Sequence, residues 1–132
     1  MTTHVFISYS GEDEEVAREL AHNLARKGVE AWFDRDELKP GESWKQQIKR
    51  ALNGSDAVVV VLGAGGPRAN VLVEAGMAMG QGKKILPVIV DEKADVDVFS
   101  KLRLIRATNE DEIDTAADQV IAFVAQETAA RL

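Results

Sequence analysis

Cysteine is absent from all 132 residues, which excludes a disulfide scaffold and a thiolate zinc site and leaves a reducing compartment permitted. Long apolar segments are missing too. No wholly apolar run exceeds that of Ala57 to Leu62, far short of the roughly 20 residues that a membrane-spanning helix needs. The N-terminus, Met1-Thr2-Thr3-His4, runs straight into a strand-like segment without the basic patch and apolar stretch of a secretory signal. The expected location is cytoplasmic, with no membrane partner. Basic residues are outnumbered, 16 against 22 acidic, for a formal net charge of -6, and they are scattered rather than gathered into a stripe. That balance repels polyphosphate, so nucleic acid is not an expected partner.

The hydrophobic fraction of 45% against 29% charged is that of a globular chain, and the length suits one domain spanning residues 1–132. Strand-like and helix-like patterns alternate throughout, with no repeat and no low-complexity tract. Val5-Phe6-Ile7 is a short β-rich run closed by Ser8-Tyr9-Ser10. Ser10 and Asp13 have the form of a capping box, Val16, Leu20 and Leu24 recur at helical spacing, and Gly28 stops that helix. Glu30 to Phe33 reads as a second strand, and Asp34 to Glu42 as a charged loop holding a Pro-Gly pair. Ser43 and Gln46 form a second capping box ahead of Trp44, Ile48, Ala51 and Leu52, with Trp44 read as packing in the core. Ala57 to Leu62 has the look of a central strand buried on both faces. A loop from Gly63 to Arg68 then leads to Asn70 as N-cap of a short helix ending near Gly80. Ile85 to Val90 is a fourth strand, Leu102 to Ile105 a weaker fifth, and Ile113 to Val124 marks a C-terminal amphipathic helix.

Alternation at this spacing predicts right-handed βαβ crossovers: an α/β, flavodoxin-like three-layer fold with a five-stranded parallel sheet, order 2-1-3-4-5, and helices on both faces. In that order ligands sit beyond the carboxyl ends of the strands, at the crevice between the first and third. Three segments are expected to border it: Ser10-Gly11, the Asp34–Glu42 loop, and the Gly-rich loop entering the helix of Glu74.

The ordered motifs of this chain resemble those of the TIR domain family. Phe6-Ile7-Ser8-Tyr9-Ser10 is similar to the family's first box. Trp32-Phe33-Asp34-Arg35-Asp36-Glu37-Leu38-Lys39-Pro40-Gly41-Glu42-Ser43-Trp44 resembles its second box and BB loop. Asn70-Val71-Leu72-Val73-Glu74-Ala75-Gly76 and Lys84-Ile85-Leu86-Pro87-Val88 resemble the third helix and fourth strand of bacterial members. The likeness runs from about His4 to the final helix. It implies an NAD+ glycohydrolase or ADP-ribosyl cyclase serving antiphage defence or signalling. On that reading Glu74 is the catalytic carboxylate, and Ser10, Gly11, Asp34, Lys39 and Asn70 border the substrate. NAD+ is then the substrate, no separate cofactor or metal is needed, and TIR–TIR self-association accompanies activation, with a separate sensor or effector polypeptide. Asn70 stands where many NAD-cleaving members carry an aromatic residue.

Glu74 is also notable without the resemblance. A glutamate in a short helix is ordinarily a solvated charge, but Val71, Leu72, Val73, Ala75, Met77, Ala78 and Met79 make this helix read as buried nearly all round. A lone acid in such a setting is costly unless it has a partner or a task. Gly63-Ala64-Gly65-Gly66-Pro67 is neither a Walker motif nor GxGxxG. It is read either as backbone able to approach a pyrophosphate or as a tight strand-to-helix connection. A phospho-receiver is excluded, because Gly63 and Ser10-Gly11 occupy the places of its acids. The BB-loop sequence argues against a nucleoside deoxyribosyltransferase. The alternative to an enzyme is a non-catalytic TIR module acting on other TIR domains.

Overall fold

Five parallel strands lie side by side in the order β2-β1-β3-β4-β5 in the computed structural model, which describes residues 3–33 and 43–130. Strand β1 (Thr3–Ser8) lies between β2 (Val29–Phe33) and β3 (Ala57–Leu62), with Ile7 opposite Phe33 on one side and Ser8 opposite Val60 on the other. Strand β4 (Ile85–Ile89) follows, and β5 (Ile105–Arg106) closes the sheet. The crossovers are α1 (Glu14–Arg26), α2 (Trp44–Asn53), α3 (Ala69–Gly80) and, after the last strand, α4 (Glu110–Ala130).

Side-chain alternation divides the core into two layers. Val5, Ile7, Val59, Val61, Leu86 and Val88 pack on one face under α1 and α4, with Leu20, Leu24, Ala117 and Val120. Phe6, Val58, Val60 and Leu62 pack on the other under α2 and α3, with Ile48, Leu52, Val71, Ala75 and Ala78. All six residues of β3 are buried, as the unbroken β-branched run predicts for a strand covered on both sides. Each such side chain contributes on the order of 1.5–3 kcal/mol by leaving water. Gly28 takes φ +90° at the end of α1, a left-handed turn in which a Cβ is strained, so the chain reverses there into β2.

Several local expectations are corrected. Neither Ser10 nor Ser43 makes a side-chain cap. Residues Gly11–Asp13 form a single 3-10 turn, and α1 begins one residue later. Helix α3 is capped at Arg68, in extended backbone, so Asn70 lies inside the first turn instead of at the N-cap. The fifth strand is two residues long and shifted to Ile105–Arg106, where it pairs with Val88 and Ile89 of β4. Helix α3 is not buried all round either. Its inward face is Val71, Glu74, Ala75 and Ala78, while Leu72, Val73 and Met79 are exposed. No helix among the described residues is long and apolar enough to cross a membrane.

Candidate active site

Beyond the carboxyl ends of β1 and β3, the chain brings together residues 58 to 66 positions apart. Because strand side chains alternate, Ser8 falls on the same face as Phe6, toward α3. Helical spacing puts Glu74 on the inward stripe of α3, three and four residues from Val71 and Ala78. The two meet: the Ser8 hydroxyl donates to Glu74 Oε1 at 2.6 Å, and both residues are fully buried. A carboxylate thus occupies a position that the packing pattern would give to an apolar side chain.

Above this pair the turn after β1 is stitched to the start of α3. The Arg68 backbone N–H donates to Ser10 Oγ at 3.0 Å, so the serine hydroxyl that would have capped the 3-10 turn is used in a tertiary contact. Asn70 Nδ2 donates to the Tyr9 carbonyl at 3.1 Å, tying the first turn of α3 to the end of β1. The Arg68 guanidinium grips Glu12 Oε1 at 2.6 Å. Tyr9 itself is buried on the opposite layer, with its hydroxyl 3.4 Å from Glu14 Oε1.

The Gly-rich loop is occupied by acids. A Cβ on Gly63 would lie 2.1 Å from Asp13 Oδ1, and one on Gly65 would lie 2.9 Å from Glu12 Oε2. These glycines accommodate the side chains of the preceding turn, which favours the tight connection over a phosphate cradle. Burial pushes the Asp13 carboxyl above its ordinary range. Glu12 and Asp91 push in the same direction, and Arg68 opposes them. Among the described residues, acids thus gather at this side of the crevice around Asp13. Among the described residues no group of three or more His, Asp or Glu side chains is arranged to hold a metal.

Of the residues singled out from sequence, Ser10, Gly11, Asn70 and Glu74 converge on the crevice, with Glu74 innermost and Gly11 exposed at the rim. Asp34 and Lys39, with the rest of the BB loop, lie outside the described residues, as does the side chain of Trp44. Ser8 was not singled out. The signal for it is in the strand alternation: on the Phe6 face of β1 the pattern turns polar at Ser8 and Ser10 while the Val5–Ile7–Tyr9 face stays apolar. Glu12, Asp13 and Arg68 were likewise missed as neighbours, because nothing local in the sequence pairs residues this far apart.

The TIR domain family model matches residues 5–121. Over 59 residues the chain is 39% identical to the NAD(+) hydrolase PdTIR of Paracoccus denitrificans (strain Pd 1222), a match covering 44% of this chain and 20% of that protein. It is 42% identical over 59 residues to the 2' cyclic ADP-D-ribose synthase AbTIR of Acinetobacter baumannii (strain 1295743), covering 44% of this chain and 22% of the relative. The matched segments thus span about a fifth of the length of these relatives. In three dimensions, the TIR domain of the Toll-related receptor TRR-2 from Hydra magnipapillata matches with a TM-score of 0.75 at 18% identity, covering 92% of this chain and 97% of that one. That likeness is one of fold.

Proposed function

This chain belongs to the TIR domain family, and we propose that it cleaves NAD+ between nicotinamide and ribose with Glu74 as the catalytic carboxylate. The observation that carries the proposal is the fully buried Glu74, held by Ser8 at the base of the β1–β3 crevice. The names of the partial relatives, an NAD(+) hydrolase and a 2' cyclic ADP-D-ribose synthase, point to the same bond.

The chemistry asks little beyond such a group. As the glycosidic bond breaks, its electron pair returns to the nicotinamide ring nitrogen. A cationic ring becomes a neutral leaving group, so no general acid has to protonate it. Positive charge builds on the ribose in an oxocarbenium-like transition state. A fixed carboxylate that accepts hydrogen bonds from ribose hydroxyls holds the sugar and stabilises that charge more in the transition state than in the ground state. Water then adds to the anomeric carbon and loses a proton, giving ADP-ribose. Capture by a nucleophile of the same molecule gives a cyclic product. NAD+ is the substrate, and no further cofactor enters.

The test is to incubate purified protein with NAD+ and follow nicotinamide by chromatography. Time-dependent release that is lost in Glu74→Gln supports the reading. A folded protein that releases no nicotinamide, even when concentrated, overturns it.

A second reading, a TIR module acting by association, is favoured by a separate observation. The large hydrophobic side chains exposed among the described residues, Leu72, Val73, Met79, Val98 and Leu102, are 37% to 67% accessible and all lie on α3 or the segment around residues 97–102. Met79 and Leu102 share a groove of about 380 Å³ with Lys83, Lys84, Arg103 and Phe123. An apolar patch rimmed by cations on an acidic chain suits docking to another acidic surface, including a second copy. Self-association and catalysis are compatible. Association without nicotinamide release would leave the second reading alone.

A further inference from the structure

The geometry points to Ser8 as the residue that positions the Glu74 carboxylate for reaction, an inference that rests on the catalytic reading of Glu74. Ser8 lies in the strand whose backbone is pinned on both sides, by β2 and by β3. Its side chain is therefore a fixed point. Glutamate by contrast has three rotatable bonds, and its carboxyl plane is set by what holds it. The 2.6 Å separation is that of a short, well-formed hydroxyl–carboxyl hydrogen bond. It clamps Oε1 from the β1 side.

Stability does not explain this pair. Phe6 lies two residues earlier on the same face, and Val60, opposite Ser8 on β3, packs in that same layer. An apolar pair of similar size would fit the pattern of this layer. Replacing a buried polar or charged pair by well-packed apolar residues is commonly neutral or stabilising. A serine and a glutamate retained in such a layer are better accounted for by a task that needs an oriented negative charge. Ser8 does not touch the reacting atoms on this account. It acts through Glu74.

The experiment compares Ser8→Ala and Ser8→Cys with the wild-type chain. The cysteine variant keeps a side chain of similar shape but donates a weaker hydrogen bond, so it decides the question if the alanine variant fails to fold. Loosening a reacting group by a fraction of a bond length lowers turnover by on the order of 10- to 100-fold. The expected result is that loss in kcat, with KM within about twofold, and no further loss when either change is added to Glu74→Gln. Wild-type kcat in a folded variant, or an effect on KM alone, overturns the inference. If the wild-type chain itself releases no nicotinamide, the NAD+ reading fails. The Ser8–Glu74 coupling is then judged by denaturant unfolding of the two single variants and the double variant: non-additive stabilities retain it, and additive ones reject it.

Discussion

If Glu74 is the catalytic carboxylate proposed above, replacing it by Gln separates catalysis from folding. Glutamine keeps the length and shape of the side chain, and its carbonyl oxygen still accepts from Ser8, so the 2.6 Å contact survives in altered form. What is lost is the charge. A carboxylate about 4 Å from a ribose cation, at an effective dielectric constant of about 20, contributes on the order of 4 kcal/mol. Each 1.36 kcal/mol is tenfold in rate, so turnover should fall by about 10³-fold. Removal of a single preorganised electrostatic group from other enzymes costs about 10²- to 10³-fold, the same range. Stability should move the other way or hardly at all. Glu74 is fully buried, and replacing a buried polar or charged group by one of the same shape is commonly close to neutral. A melting temperature equal to wild type or up to about 5 °C higher is expected. The assay pairs nicotinamide release at saturating NAD+ with thermal melts on the same preparations. A folded Glu74→Gln protein that keeps more than a tenth of the wild-type rate would refute the electrostatic argument.

Three further outcomes follow from the crevice and the exposed face. Gly63→Ala forces the Asp13 carboxylate to move, since the new Cβ falls 2.1 Å from Oδ1, and should destabilise the fold by about 1–3 kcal/mol in urea; adding Asp13→Ala should restore most of that, and an equal loss in the double variant counts against the contact. Because the folded Asp13 carboxyl is raised, the native state keeps its proton at pH values where the unfolded chain has lost it, and stability falls as pH rises through that window. Asp13→Asn should therefore stabilise the chain at neutral pH and give no gain once the pH is below the ordinary carboxylate range; a gain that persists unchanged into acid contradicts the assignment. Specific activity should rise with protein concentration if neighbouring subunits complete the site, and Met79→Asp or Leu102→Asp should flatten that rise; a flat wild-type profile with monomer throughout removes the case for association.

The architecture was legible because two periods in the sequence agree with it. Alternation along β1 and β3 assigns each side chain to a layer, and the strand–helix rhythm fits the sheet order 2-1-3-4-5 that the structure has. What misled were local rules overridden by tertiary contacts. Ser10 has the form of a cap, yet its hydroxyl serves the Arg68 N–H, 58 residues away. Asn70 has the form of an N-cap, yet its amide serves the Tyr9 carbonyl. Helix α3 was misread for a different reason. Its composition is apolar on every side, so the pattern contains no polar stripe to mark the outward face, and only the structure shows Leu72, Val73 and Met79 uncovered.

The buried acid was legible in the sequence, and its surroundings were not. Glu74 stands out because an acid interrupts an apolar helix, a local fact. The acids over the Gly-rich loop are a consequence of folding, which brings the turn at Glu12-Asp13 against Gly63 and Gly65. Their effect bears on what the crevice can accept. Glu12, Asp13 and Asp91 oppose a free anion, and the Arg68 side chain is already engaged with Glu12. On the proposed reading, a pyrophosphate near this turn would meet these acids, whereas a pyridinium ring and a nascent ribose cation would meet charge of favourable sign. The half of NAD+ that reacts is cationic and the half that anchors it is anionic. If NAD+ is the substrate, acids placed here would add more to stabilising the charge that appears as the bond breaks than to holding the ground state, which is where binding energy raises turnover.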